Sequence, residues 1–237
     1  MPNNYFQFKQ FTVYHDQCAM KVCTDACILG AWFAEKIPDK SLVLDIGAGS
    51  GLLTLMLAQK NNGHFHGIEI DLPSFGQLQQ NIANSNRQNH ILAFNGDVCT
   101  YSFPAKYNFI ITNPPFFEGD LKSPDAQKNI AMHSTALTLE KLTDVIDENL
   151  TSDGSFGILI PYHRTEAYIS IARAKGFYLS EKLLVKQTPA HNYFRSILHF
   201  TRKKTNAVQT HELTIKDNNN TYTEAFTTLL KDYYLYL

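Results

Sequence analysis

The 237-residue sequence lacks the features that mark membrane, secreted and zinc-stapled proteins. It has no run of eighteen apolar residues, which excludes a membrane-spanning helix, and its start, MPNNYFQFKQF, lacks the basic and apolar regions of a signal peptide. Its four cysteines form no CxxC pair, so we expect reduced thiols rather than disulfides or a zinc site: Cys18, Cys23, Cys27 and Cys99. We therefore expect a cytoplasmic protein that binds no metal.

The chain also has almost no net charge, −1 at pH 7. The chain has 21 basic and 22 acidic residues, so nucleic acid binding requires a local basic patch. The length and the 44% apolar content suit one large domain, with a monomer favoured. We predict a single domain over residues 1–237, with an aromatic N-terminal arm (1–20), a core (21–204) and an extension (205–237) that ends in a helix packed on the domain.

The order of the predicted elements indicates an α/β fold with a doubly wound, mostly parallel, seven-stranded sheet. Short apolar runs alternate with helical patterns, as in parallel sheets, and the last two strands form a hairpin that adds an antiparallel strand. The predicted strands are Leu42–Ile46, His64–Asp71, Ile91–Phe94, Tyr107–Thr112, Ser155–Ile160, Phe177–Lys186 and Ser196–Arg202.

A glycine-rich turn follows the first of these strands. Gly47, Gly49 and Gly51 would let a nucleotide-type cofactor approach the backbone at the start of the next helix. The GxGxG spacing lacks the third glycine of a dinucleotide site. Asp45 would repel a pyrophosphate but suits a cationic amino-acid tail, so the turn favours S-adenosylmethionine over a nicotinamide cofactor.

Two further carboxylates follow the next strands. Glu69 lies about twenty residues past the glycines, where an acceptor for two ribose hydroxyls is expected, and Asp71 before Pro73 is interpreted as a helix cap. Asp97 could accept from an adenine amino group, with Val98 as a wall of the ring pocket, or could cap the following turn.

The run Asn113-Pro114-Pro115-Phe116-Phe117 ends the fourth strand in a rigid turn. A planar NH2 group could donate to the Asn113 side-chain oxygen and to the Pro114 carbonyl while its ring stacks on Phe116. The alternative is a loop with two packed phenylalanines. The polar segment Gly119–Ser134 is a candidate substrate lid.

Two regions admit both a structural and a functional interpretation. The rings of the N-terminal arm either pack on the domain or fold over a ligand. The bases near the C-terminal hairpin form either a phosphate-binding face or a lysine-guarded edge strand: Lys182, Lys186, Arg195, Arg202, Lys203 and Lys204.

Over residues 6 to 204 the chain resembles the Rossmann-like class I S-adenosylmethionine-dependent methyltransferases, and among them the tRNA(Val) adenine-N6 methyltransferases, which modify the purine 3′ of the anticodon. The motifs are FKQF at Phe8–Phe11, MKVCTDACILGAW at Met20–Trp32, DIGAGSGLL at Asp45–Leu53, GIEID at Gly67–Asp71 and NPPFF at Asn113–Phe117. The first two separate this family from the wider class.

The resemblance implies a set of site residues. Asp45 and the loop glycines would hold the methionine end of the cofactor, Glu69 its ribose, and Asp97 with Val98 its adenine. Thr24, Asp25 and Asn113 would border the cofactor. The target base would lie against Asn113, Pro114, Pro115, Phe116 and Phe117. The charge pattern, rather than the resemblance, places the RNA against Lys186, Arg195, Arg202 and Lys203. The sequence departs from the family at Cys23, where glycine is expected, and at Phe116, where tyrosine is common.

Three alternatives remain open. The same turn could hold guanine N2 of rRNA or a glutamine amide of a release factor. The chain could instead be a non-catalytic RNA-binding module, although RNA binding does not require the whole set of Asp45, Glu69, Asp97 and Asn113. A nicotinamide oxidoreductase is disfavoured by the glycine spacing and by the Asn-Pro-Pro turn.

Overall fold

A computed structural model describes residues 3–115 and 137–237. Within them the strands are β1 (Tyr5–Gln7), β2 (Thr12–Tyr14), β3 (Leu42–Ile46), β4 (His64–Glu69), β5 (Ile91–Asn95), β6 (Tyr107–Thr112), β7 (Leu150–Pro161), β8 (Tyr178–Lys186), β9 (Tyr193–Thr201) and β10 (Gln209–Thr214). The helices are α1 (Thr24–Ala34), α2 (Leu52–Lys60), α3 (Leu72–Ala83), α4 (Leu139–Asn149), α5 (Thr165–Ala174) and α6 (Glu224–Leu230), with 3-10 turns at Gln88–His90 and Tyr162–Arg164.

Strands β3 to β10 form one sheet in the order β10-β8-β9-β7-β6-β3-β4-β5. Strand β9 runs antiparallel to β7 and β8, and the remaining pairs of the described sheet are parallel. The strand order reverses at β3 and β6, the switch point where ligands bind in open α/β sheets. The predicted doubly wound α/β class is confirmed.

The predicted count of seven strands is wrong, because β10 adds an eighth strand at the sheet edge beside β8. Its sequence, QTHELT, buries only Leu213, so an apolar run that would have indicated a strand is absent. The helix of the extension spans seven residues, Glu224–Leu230.

The central strands are apolar throughout because each face of the sheet is covered. Successive side chains of a strand point to opposite faces. Val43 and Phe109 pack with α1 and α2 in one hydrophobic core, whereas Leu44 and Ile110 pack with α4 and α5 in the other. Two buried cores thus fix the positions of β3 and β6, and with them the residues that directly follow these strands, 47–51 and 113–115.

The N-terminal arm packs on the domain and on the C-terminal extension. The rings of Phe6 and Phe8 lie 5.3 and 6.0 Å from that of Tyr234, between ring centroids, and the Lys9 amide donates to the Tyr233 carbonyl. The packing interpretation of the arm is therefore confirmed. None of the described helices is long and apolar enough to cross a membrane.

Candidate active site

The strand register brings the predicted cofactor residues and the Asn-Pro-Pro turn to one edge of the sheet. Ile46 pairs with Ile68 and with Thr112, and Glu69 pairs with Asn95. The glycine turn, Glu69, the segment before Asp97 and the Asn-Pro-Pro turn therefore all follow strands that end at the same level. We call this the carboxyl edge, and the opposite end of the parallel strands the amino edge.

The three glycines of the turn have left-handed backbones, with φ of 71°, 53° and 83° at Gly47, Gly49 and Gly51. A Cβ on Gly47 would meet no atom within 4 Å, and one on Gly49 would have only the Gly47 oxygen at 4.0 Å. A Cβ on Gly51 would come within 2.6 Å of the Leu78 side chain. The first two glycines thus border open space suited to a ligand, whereas the third lets α2 pack on α3.

Asp45 carries an unsatisfied oxygen beneath this turn. Its side chain is buried, and Oδ2 accepts hydrogen bonds from the Thr54 amide (3.1 Å) and hydroxyl (2.7 Å). Its Oδ1 has no partner among the described residues. Burial raises the pKa of Asp45 to about 7, although the Thr54 hydrogen bonds lower it. A bound cation would relieve this cost, so the site suits a ligand with an ammonium group.

Glu69 connects the glycine turn to the next loop. Its Oε2 accepts from the Gly49 amide at 2.9 Å and its Oε1 from the Asp71 amide at 2.8 Å. Each oxygen keeps a second lone pair that could accept from a ribose hydroxyl. Asp71 caps α3 by accepting from the Ser74 amide at 3.0 Å, as predicted.

Asp97 begins the turn after β5. Its Oδ1 accepts from the Cys99 amide at 2.9 Å, so the turn-capping interpretation holds for one oxygen, and Val98 is buried behind it. Ile70, directly after Glu69, is 66% exposed and so leaves an apolar side chain in solvent beside Glu69.

Asn113 lies beside the glycine turn because the Thr112 hydroxyl donates to the Ile46 carbonyl at 3.0 Å. Its Nδ2 points at the Met20 sulfur, 3.8 Å away, while its Oδ1 is buried without a partner in the described chain. Pro114 is buried and Pro115 is exposed. Phe116, Phe117 and the candidate lid Gly119–Ser134 lie outside the described residues.

The segment before α1 contacts the site from across the sheet. Met20, which the sequence analysis did not assign to the site, touches Asn113, and Thr24 begins α1. Arg195 donates to Asp25 at 2.8 Å from the start of β9. This ion pair holds the segment against β9, and it joins a predicted cofactor residue to a predicted RNA residue.

The predicted basic face is divided between the two edges. Arg195 pairs with Pro161, and Lys186 with Tyr193, at the carboxyl edge. Strand β9 then runs from Tyr193 to Thr201, a distance of roughly 26 Å at 3.3 Å per residue. Thr201 pairs with Ser155 and Tyr178 toward the amino edge.

The two bases that follow β9 lie beyond this amino edge. Arg202 donates to Asp147 at 2.6 Å and stacks on Phe177, while Lys203 is exposed. Their role in RNA binding stays a prediction from sequence.

All four cysteines are free thiols, as predicted. Within residues 3–115 and 137–237, no group of three or more His, Cys, Asp or Glu side chains is arranged to hold a metal ion.

Comparison with known proteins identifies the family to which this chain is similar. The methyltransferase small domain family matches residues 26–153. The tRNA1(Val) (adenine(37)-N6)-methyltransferase of Dyadobacter fermentans is 41% identical over 240 residues, which cover 99% of each chain. The protein of the same name from Phocaeicola vulgatus is 37% identical, again over 99% of each chain.

Solved structures share the fold at low identity. A predicted O-methyltransferase of Agrobacterium tumefaciens superposes with a TM-score of 0.65 at 14% identity, covering 88% of this chain and 96% of that one. A tRNA m1G37 methyltransferase of M. jannaschii gives 0.62 at 16% identity, over 86% and 59%. These likenesses establish a Rossmann-like methyltransferase fold.

Proposed function

The chain belongs to the tRNA1(Val) (adenine(37)-N6)-methyltransferase family, and from that premise we propose that it methylates the exocyclic N6 of an adenine in tRNA. The methyl donor is S-adenosylmethionine. The relatives' names point to adenine 37 of tRNA1(Val), the purine 3′ of the anticodon, and we place the reaction in the cytoplasm, where tRNA is found.

One observation carries this proposal. The Asn113 Oδ1 is buried at the switch point of the sheet and has no partner in the described chain. Burying an acceptor without a hydrogen bond costs about 1–3 kcal/mol, and such a cost is retained where a ligand supplies the missing donor. An exocyclic NH2 group is a donor of the right kind.

The unsatisfied and open positions fit the cofactor. Asp45 Oδ1 would accept from the ammonium of its methionine part, above Gly47 and Gly49. Glu69 would accept from the ribose hydroxyls. Asp97 would accept from the adenine amino group, between Val98 and Ile70. When bound, S-adenosylmethionine supplies a methyl group on a sulfonium, which is electrophilic without a metal.

The Asn-Pro-Pro turn would prepare the nucleophile. An adenine NH2 is a weak nucleophile because its lone pair is delocalised into the ring. Asn113 Oδ1 and the Pro114 carbonyl would each accept one N–H and so draw the nitrogen away from planarity, which localises the lone pair. As the nitrogen gains positive charge, the same two oxygens stabilise it. Positioning supplies the remaining acceleration, with Phe116 as the proposed stacking partner.

The proposal is tested by offering labelled S-adenosylmethionine to unmodified total tRNA, to rRNA and to cell protein in parallel. We expect label in tRNA, recovered after digestion as N6-methyladenosine. Label in guanosine or in glutamine would keep the cofactor but overturn the substrate. Absence of label from all three pools would overturn the activity.

A further inference from the structure

We propose that the RNA of the anticodon loop binds only at the carboxyl edge of the sheet, and not at the half of the predicted basic face that lies beyond the amino edge. This inference rests on the proposed function and names where its substrate binds. The binding surface proposed there consists of Lys186 and neighbouring side chains at the same edge, and we call it the edge surface: Tyr162, His163, Lys186, His191 and Tyr193.

The strand register places the edge surface next to the proposed base pocket. Strand β7 ends at Pro161, so Tyr162 and His163 lie at the carboxyl edge one strand from Asn113. Lys186 ends β8 at the same level, opposite Tyr193 at the start of β9. From β6 to β8 is three strand spacings, roughly 14 Å. A base held at Asn113 therefore has these residues within reach of its neighbouring nucleotides.

The edge surface carries a cation that is not neutralised by any residue within 3–115 and 137–237. Lys186 forms no ion pair with any described residue, and its Nζ lies 5.4 Å from the centroid of the Tyr193 ring. A lysine in this state is available to a phosphate. Glu212 interacts with the Tyr193 hydroxyl and raises its pKa.

Two tyrosine rings at this edge provide faces for unstacked bases. Tyr162 is 40% exposed, and its centroid lies 5.3 Å from that of Tyr193 at an interplanar angle of 49°. His163 and His191 are exposed on either side. Aromatic faces interleaved with a cation are the usual means of binding single-stranded loops of RNA.

The other half of the basic face has different chemistry. The Arg202 charge is already paired with Asp147, and the guanidinium also donates to the Asp147 carbonyl. Arg202 and Lys203 lie beyond the amino edge of the sheet, at the opposite end from Asn113. Lys186 and Arg202 are therefore close in sequence but lie at opposite edges of the sheet, because β9 runs antiparallel from one edge to the other.

The test compares charge reversals at both edges. The probe is a fluorescently labelled, unmodified anticodon stem-loop of tRNA1(Val), titrated by anisotropy at several salt concentrations with S-adenosylhomocysteine present. We expect Lys186→Glu to weaken binding about tenfold at low salt and to reduce the salt slope by about one. Lys106→Glu, an exposed lysine directly before β6 at the amino edge, is the matched control and should stay within about twofold of wild type.

Two further variants sharpen the result. Tyr162→Ala should weaken binding while leaving the salt slope unchanged, because stacking displaces no counterions. Lys203→Glu should behave like Lys106→Glu. Isothermal titration with S-adenosylhomocysteine verifies that every variant keeps its cofactor site and hence its fold.

Each outcome separates the inference from the proposed function. If the wild type methylates the tRNA but Lys186→Glu binds RNA like Lys106→Glu, the edge surface is overturned and the activity stands. If Lys203→Glu weakens binding as much as Lys186→Glu, the two halves act as one face and the inference is equally overturned. If the wild type neither binds nor methylates the stem-loop, the proposed function itself fails.

Discussion

The two edges of the sheet use the same residue types for different purposes. Asn113 and Asn108 stand at opposite ends of β6. At the amino edge, Asn108 Oδ1 accepts from the Leu42 amide at 2.8 Å, whereas at the carboxyl edge Asn113 Oδ1 is buried without a partner in the described chain. Of these two asparagines, the one at the amino edge has a hydrogen-bond partner for its side-chain oxygen and the one at the carboxyl edge has none. The missing partner of Asn113 is therefore expected from a ligand.

The glycines show the same contrast. Gly47 and Gly176 both have left-handed backbones, with φ of 71° and 80°, and a Cβ on either would meet no atom within 4 Å. Gly176 ends α5 at the amino edge, where its conformation serves only to terminate the helix. Gly47 faces the proposed cofactor site. The same left-handed backbone conformation is therefore expected to serve ligand binding at Gly47 and helix termination at Gly176.

The largest effect is expected from the asparagine pair. Asn113→Ala should lower kcat about 10²–10³-fold, because one of two acceptors for the developing charge is lost, while cofactor affinity is retained. Asn108→Ala should keep full activity and cost about 1 kcal/mol in the free energy of unfolding. Steady-state methyl transfer and urea unfolding of both variants measure this difference. Equal activity of the two variants would refute the role of Asn113.

The glycine pair should give the next effect. Alanine at either position costs about 1 kcal/mol of stability, because a left-handed backbone disfavours a Cβ. Only Gly47→Ala places a methyl group in the cofactor site, so we expect about a tenfold loss of affinity there, equivalent to 1.4 kcal/mol. Isothermal titration with S-adenosylhomocysteine measures it. A similar loss in Gly176→Ala would show that strain, rather than occupancy, governs affinity.

A third effect concerns the pH dependence of cofactor affinity and Asp45, and it changes affinity with pH in the wild type itself. Its pKa of about 7 exceeds the ordinary value of 3.8, so its contribution to the stability of the cofactor-free protein is present at low pH and is lost as pH rises through 7. An ammonium ligand prefers the ionised form. Cofactor affinity should therefore increase with pH from 5.5 to 7.5, by at most about tenfold per unit.

Titrations of wild type and Asp45→Asn across this pH range check the prediction. The amide does not ionise, so the variant should lose the dependence. Glu181 is the natural contrast: burial raises its pKa, yet the 2.6 Å ion pair with Lys36 outweighs this and holds the pKa below its usual range. A Glu181→Gln variant should keep the wild-type pH dependence of cofactor affinity. A pH dependence that persists in Asp45→Asn would assign it to another group.

Local patterns sufficed for the central part of the fold. The run Leu42–Ile46 matches β3 residue for residue, and Tyr107–Thr112 matches β6. Both are buried on two faces, which makes a continuous apolar run informative. Strand β10 was not predicted from the sequence, because an edge strand buries few side chains and therefore has no apolar run. Its conformation is decided by hydrogen bonding to β8.

The sequence by itself determined where the residues of the proposed site stand relative to the strands: the glycine turn, Glu69, Asp97 and Asn113. These positions are local, since each is fixed by the strand immediately before it. Only the tertiary structure brought Met20 to Asn113 and Arg195 to Asp25, across 93 and 170 residues. It also sent Arg202 and Lys203 to the far edge, because the direction of β9 depends on pairing with β7 and β8, which no local pattern encodes.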